Sequence, residues 1–191
     1  MAGSLADKVL RSARMLSHGG IEVGVLRRRI DTAFLREAGK LLADRFRADS
    51  PTLVLAPVIS GLTVATTTAM DLEVPLLLAR KESSDVRGFV IHRSAYSSSE
   101  GMVFDLHVAR EDLLPSDRVL IVDDMIQHGQ TTAALVEMVR EAKAQVVGVA
   151  VVVEATAMGR HKLASLGLPD AKIVSLVKVD IQGNTLVLSA S

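Results

Sequence analysis

Four apolar residues, Val119-Leu120-Ile121-Val122, run directly into Asp123-Asp124. A short loop with one glycine then leads to Thr131-Thr132. A continuous apolar run of this kind suits a strand buried on both faces, which belongs in a parallel sheet covered by helices. Leu53-Val54-Leu55-Ala56, Pro75–Ala79, Val146–Val153 and Lys172–Val177 repeat the signal. Helical spacing fills the intervals. Asp31 caps a helix to about Arg47, with Phe34, Leu35, Ala38, Leu41, Leu42 and Phe46 on one face. Leu62–Met70, Thr131–Ala144 and Met158–Leu166 read as further helices, and Leu5–Leu16 as one capped by Ser4. Phe89–His92 and Met102–Val108 read as strands around a Ser-rich tip, Ser94–Gly101. Strands alternating with helices predict an α/β fold with a central, mainly parallel sheet flanked by helices. The 191 residues make one domain on this pattern.

Ligands of open α/β sheets sit beyond the carboxyl ends of the strands. The stretches to inspect are therefore Pro57–Gly61, Arg80–Lys81, Asp123–Thr132 and Glu154–Met158. At the third of these, backbone N–H groups at a helix start favour a phosphate, and Thr131 and Thr132 add hydroxyl donors. Two carboxylates close by repel a phosphate unless they hold something between, and ribose hydroxyls or Mg²⁺ suit that place. Phosphate and diol on one loop describe a ribose phosphate. On the residues alone, the same stretch also reads as a strand, an Asp turn and a Thr-capped helix without a ligand.

Composition removes several other classes. Lys plus Arg and Asp plus Glu number 22 each, so a broad electrostatic grip on nucleic acid or acidic lipid is not expected. Cysteine is absent, which excludes disulfides, thiolate metal sites and a cysteine nucleophile. Aromatic residues make up 3%, too few for a platform that stacks single-stranded bases. No apolar stretch reaches about 18 residues and the N-terminus lacks the signal-peptide pattern, so a soluble, cytoplasmic protein is expected. No metal-ligand spacing links His92, His107 and His161.

The segment 119–132 resembles the phosphoribosyl diphosphate (PRPP) motif of type I phosphoribosyltransferases: apolar strand, paired acids, small loop, glycine, hydroxyl. The commonest loop of that family reads Ala-Thr-Gly-Gly-Thr, where this chain has Gln127-His128-Gly129-Gln130-Thr131. A polar residue followed by Gly-Gln is similar to the loop of bacterial xanthine phosphoribosyltransferases. Ile30-Asp31, Ala79-Arg80-Lys81, Ser94-Ala95-Tyr96-Ser97 and Gly159-Arg160 with Leu163 and Leu166-Gly167 follow that subfamily in order and spacing. The likeness spans roughly residues 5 to 188.

The resemblance implies a set of roles. Asp123 and Asp124 hold the ribose hydroxyls, directly or through Mg²⁺. Gln127, His128, Gly129, Gln130, Thr131 and Thr132 wrap the 5′-phosphate. Ser60 and Gly61 belong to a pyrophosphate loop, Val58–Gly61, where a strained peptide is common and Gly61 would ease it. Arg80 and Lys81 are cations for the diphosphate. Ser94 and Tyr96 sit in a flexible loop that closes over the reacting centre. The base lies near Gly20, Arg27, Glu154 and Met158, with Met158 as a soft apolar surface where relatives carry an aromatic. The implied domain has a core of about residues 31–153 and a hood from about 1–30 and 154–191. The implied reaction moves a phosphoribosyl group from PRPP to xanthine or another oxopurine in a homodimeric salvage enzyme. Adenine as the base, and an inactive PRPP-binding regulator, are the alternatives.

Overall fold

The computed structural model describes residues 4–81, 89–97, 101–183 and 185–189. In chain order the elements are α1 (Leu5–Ser12), β1 (Ala13–Met15), β2 (Ile21–Val23), α2 (Gly24–Arg27), α3 (Thr32–Phe46), β3 (Leu53–Pro57), α4 (Leu62–Leu72), β4 (Leu76–Ala79), β5 (Val90–Ser97), β6 (Met102–Ala109), β7 (Arg118–Ile126), α5 (Gln130–Glu141), β8 (Gln145–Ala155), α6 (Met158–Ser165), β9 (Ile173–Gln182) and β10 (Thr185–Leu188).

Six strands form the main sheet in the order β10-β9-β8-β7-β3-β4. All neighbours are parallel except the edge pair β9–β10. The apolar runs are continuous because successive side chains enter two different cores. Val54, Ala56, Leu120, Val122, Ala150 and Val152 pack with Phe34, Leu42 and Val64 on the face of α3 and α4. Leu53, Leu55, Val119, Ile121, Val149 and Val151 pack with Leu135, Val139 and Leu163 on the face of α5 and α6. Asp31 caps α3 as expected, its carboxylate accepting from the Phe34 N–H at 3.0 Å. Leu41, expected on the buried face of α3, is instead exposed.

Three expected elements differ. The first helix stops at Ser12, whose hydroxyl turns back to the carbonyls of Lys8 and Val9. Residues 13–15 then pair antiparallel with 21–23 instead of continuing the helix. β4, expected as fully buried, is a half-buried edge strand, because only β3 pairs with it. The hairpin β5–β6 is longer than its apolar ends suggested, pairing from Val90–Ala109 to Ser97–Met102. Ser94 and Tyr96 are therefore strand residues and not loop residues, and residues 98–100 of the expected tip lie outside the described ones. Beyond residue 154, a stretch expected in the hood, β9 and β10 extend the main sheet.

Candidate active site

The carboxyl ends of β3 and β7 meet at one cavity. Its walls include Arg27, Ser60, Lys81, Tyr96 and the whole of Asp123–Thr132. β7 runs through both acids to Ile126, so Asp123 and Asp124 are held in a strand with backbone pairing to β8. They are 3% and 2% exposed. Two carboxylates so deep need partners. The Asp123 Oδ1 accepts from Ser60 Oγ at 3.0 Å and from the Asp124 N–H at 2.8 Å. Asp124 is gripped side-on by Arg27, Nε to Oδ2 at 2.6 Å and Nη2 to Oδ1 at 3.3 Å. Burial and then the neighbouring Asp124 charge push the Asp123 carboxyl well above the usual carboxylate range.

Beyond the acids the chain turns at Gly129, whose φ of 74° is left-handed. A Cβ there would stand 2.8 Å from the Gly159 carbonyl, so the start of α6 abuts this turn. Gly129 precedes α5 and no side chain caps that helix. Its first-turn N–H groups have no intrahelical acceptors and are oriented for an anion. On the opposite wall, the peptide Val58–Ile59 is cis. Gly61, expected to relax the backbone, has a φ of −78°, open to any residue. It serves close approach instead, because a Cβ there would meet the Val122 carbonyl at 2.9 Å and the Asp123 Cα at 3.1 Å.

The expected site residues divide. Asp123, Asp124, His128, Gly129, Gln130, Thr131, Thr132, Ser60, Lys81, Tyr96 and Arg27 line the cavity. Lys81 Nζ also lies 4.4 Å from the centre of the Phe104 ring, which fixes its direction. Gln127 lines the cavity too, but its amide donates to the Gly19 carbonyl at 3.0 Å instead of facing a phosphate. The Oε1 of that amide is buried and meets no protein donor. Gly20 is buried and its carbonyl accepts from Leu16, apart from the cavity walls. Arg80 is exposed, held by backbone pairing to His107, and does not reach the walls. Ser94 points outward and donates to Asp105 across the hairpin. Met158 is 51% exposed at the start of α6.

Glu154 requires a correction. Arg160 forks onto it at 2.8 and 2.6 Å, and Ser175 Oγ donates to it at 2.6 Å. This carboxylate is held by these three bonds and is not among the cavity walls. Sequence reasoning missed Phe104 as a wall residue. It also missed the bond from Arg27 to Asp124, which joins residues 97 positions apart.

A mainly parallel sheet flanked by helices, with paired buried acids on the inner strand β7 running to an uncapped helix start, defines the class as α/β. The chain belongs to the phosphoribosyltransferase family: the description "Phosphoribosyl transferase domain" matches residues 28–187. The xanthine phosphoribosyltransferase of Deinococcus deserti is 36% identical over 190 residues, 98% of each chain. That of Heliobacterium modesticaldum is 34% identical over 151 residues, 78% of this chain and 80% of the relative. Among solved structures, adenine phosphoribosyltransferase from Trypanosoma brucei, in complex with AMP, pyrophosphate and ribose-5-phosphate, aligns with a TM-score of 0.76. It is 22% identical and the alignment covers 93% of this chain and 80% of that one. At that identity the likeness concerns the fold. Among the described residues no helix is long and apolar enough to cross a membrane.

Proposed function

We propose that this chain transfers the 5-phosphoribosyl group of PRPP to a purine, with xanthine as the preferred base. The observation that carries the reading is the Asp123–Asp124 pair at the end of β7, buried beside the uncapped N-terminus of α5. The relatives at 36% and 34% identity, both named for xanthine, supply the choice of base. In this reading the carboxylates accept from the ribose hydroxyls, and the amides and hydroxyls of residues 129–132 hold the 5′-phosphate. The bond from C1 of the ribose to the diphosphate oxygen breaks, and its electron pair leaves with pyrophosphate. A ring nitrogen of the base forms the new bond to C1 and gives up its proton to water or to the departing pyrophosphate. Lys81, steadied on Phe104, offsets the charge that grows on the departing group. Tyr96 and Ser97 close the cavity on the hairpin side and limit water.

Magnesium belongs to the same reading. The described residues hold no cluster of three or more acidic or histidine side chains suited to a metal. Both Asp124 oxygens and one Asp123 oxygen already have donors. That set fits an ion that Asp123 and Asp124 would hold only indirectly. When bound, the ion supplies positive charge to the leaving diphosphate.

A panel of PRPP with xanthine, guanine, hypoxanthine, adenine and orotate tests the assignment. Nucleotide formation is expected with the highest kcat/KM for xanthine. A preference for adenine removes the oxopurine reading. PRPP binding without turnover of any base makes the chain a regulator instead.

The same reading includes a homodimer. Met102 and Val103 are 54% and 65% exposed near the tip of the hairpin, apolar side chains that a second copy would cover. Sedimentation is expected to give twice the 20.4 kDa chain mass, and a fully active monomer would contradict it.

A further inference from the structure

The turn joining β1 to β2 closes on itself, Leu16 N–H donating to the Gly20 carbonyl at 2.8 Å and Gly19 N–H to the Leu16 carbonyl at 3.0 Å. It leads through β2 into α2, whose last residue, Arg27, lines the cavity. Two other parts of the molecule meet this turn. A Cβ on Gly101, beside the start of β6, would stand 3.1 Å from the His18 ring. From the phosphate loop, the Gln127 amide reaches the Gly19 carbonyl across 108 positions of sequence.

Gln127 makes that bond with one amide atom only. It is 6% exposed, and its Oε1 is buried without a partner. A carbonyl can be met only by a donor, so Gly19 dictates that the amide nitrogen faces it and the oxygen is the atom left orphaned. If the position needed only packing, Leu or Met would fill it without an orphan. The side chain is kept for its donor, and that donor serves the turn.

We propose that Gln127 is a positioning residue that clasps the 16–20 turn to the phosphate loop, so that the turn and α2 are ordered beside Arg27, the one expected base contact on the cavity wall. The proposal rests on the reading of a PRPP and purine site given above. A single neutral hydrogen bond, opposed by an orphaned acceptor, makes a weak clasp. The turn therefore opens readily for a base, and a bound phosphoribosyl group that fixes residues 127–131 fixes the near end of the clasp.

Hydrogen–deuterium exchange of the ligand-free protein tests it, with Gln127→Leu, which retains bulk, and Gln127→Ala, which does not. In both, a peptide spanning residues 15–21 is expected to exchange about 3- to 10-fold faster, the range set by one ordinary hydrogen bond, while peptides from β3 and β8 keep their rates. In steady-state kinetics, Gln127→Leu is expected to raise KM for xanthine by about the same factor and to move KM for PRPP less than about twofold. Unchanged exchange of residues 15–21 in both variants overturns the clasp, whatever the kinetics. A raised KM for PRPP with an unchanged KM for xanthine also overturns it, because the side chain then serves the phosphate. Faster exchange in a protein whose wild type turns over no base keeps the clasp and removes the functional reading instead.

Discussion

Asp124→Asn is expected to lower kcat/KM by about 100-fold, equal to about 2.7 kcal/mol of lost transition-state stabilisation. The geometry explains why this acid matters more than its neighbour. Arg27 presents a two-pronged donor to both oxygens of Asp124. An amide there sets an N–H₂ group against one of those prongs and removes one acceptor for a ribose hydroxyl. Both losses occur where only 2% of the residue meets solvent, so water cannot repair them. Asp123 is in a milder position. Its Oδ1 accepts from Ser60 and from the Asp124 N–H, and an asparagine oxygen can accept both bonds. Burial, and then the Asp124 charge, already drive Asp123 toward its neutral form. Asp123→Asn is therefore expected to cost less than Asp124→Asn. Because the native Asp123 carboxyl keeps its proton to higher pH than the unfolded one, wild-type stability falls as pH rises through the native value, and the amide lacks that slope. Measured kcat/KM values at wild-type level in both variants remove the ribose role. A larger loss in Asp123→Asn reverses the ranking.

What the sequence disclosed and what it concealed follow a physical division. β7 and the start of α5 were legible because their signal is local: an apolar run long enough for a strand, then a glycine and hydroxyls at a helix start. Asp31 was legible for the same reason, since an N-cap acts within three residues. Gly129 was placed in the loop, but its close approach to Gly159 depends on how α6 packs, which no local pattern carries. The partner of Arg27 lies 97 positions away. From sequence, Arg27 was expected near the base, and the structure puts it on the cavity wall with its guanidinium on Asp124. The serines after Ala95 suggested a loop, yet β5 continues through Ser97 because Ala95 and Ser97 point inward and Met102 pairs opposite. Glu154 was placed near the base by a rule that is right on average. Residues at strand ends do face ligands, but the fork from Arg160 on α6 and the bond from Ser175 hold this one off the cavity walls.

The position of Glu154 yields the second large effect. Arg160→Ala is expected to destabilise the fold by about 3–5 kcal/mol, because it strands a carboxylate that is 5% exposed. For a domain of this size that corresponds to a fall in Tm of about 6–20 °C. The pair is not an ordinary surface bridge, which contributes about 0–1 kcal/mol. Arg160 grips both Glu154 oxygens, and its remaining nitrogen donates to Asp170 Oδ1 at 2.7 Å. It thereby ties β8, α6 and the turn before β9 into one unit. Burial raises the Glu154 carboxyl, but the bonds from Arg160 and Ser175 outweigh it and hold the group below its usual range. The wild-type pair therefore contributes stability above the unfolded carboxyl value of about 4.5, and loses it as pH falls through the lower native value. Without Arg160, burial dominates and the carboxyl moves up, so the deficit of Arg160→Ala is expected to shrink as the pH is lowered toward 5. The double variant Arg160→Ala/Glu154→Gln, which strands no charge, is expected to regain part of the Tm at pH 7. Asp170 is 80% exposed in the side chain, and Asp170→Ala is expected to change Tm little. Thermal unfolding of the four proteins between pH 5 and 8 decides the matter. A fall in Tm of less than about 1 °C in Arg160→Ala reduces the pair to a solvated contact. An unchanged Tm with a lower kcat/KM for the base alone returns Glu154 to base recognition.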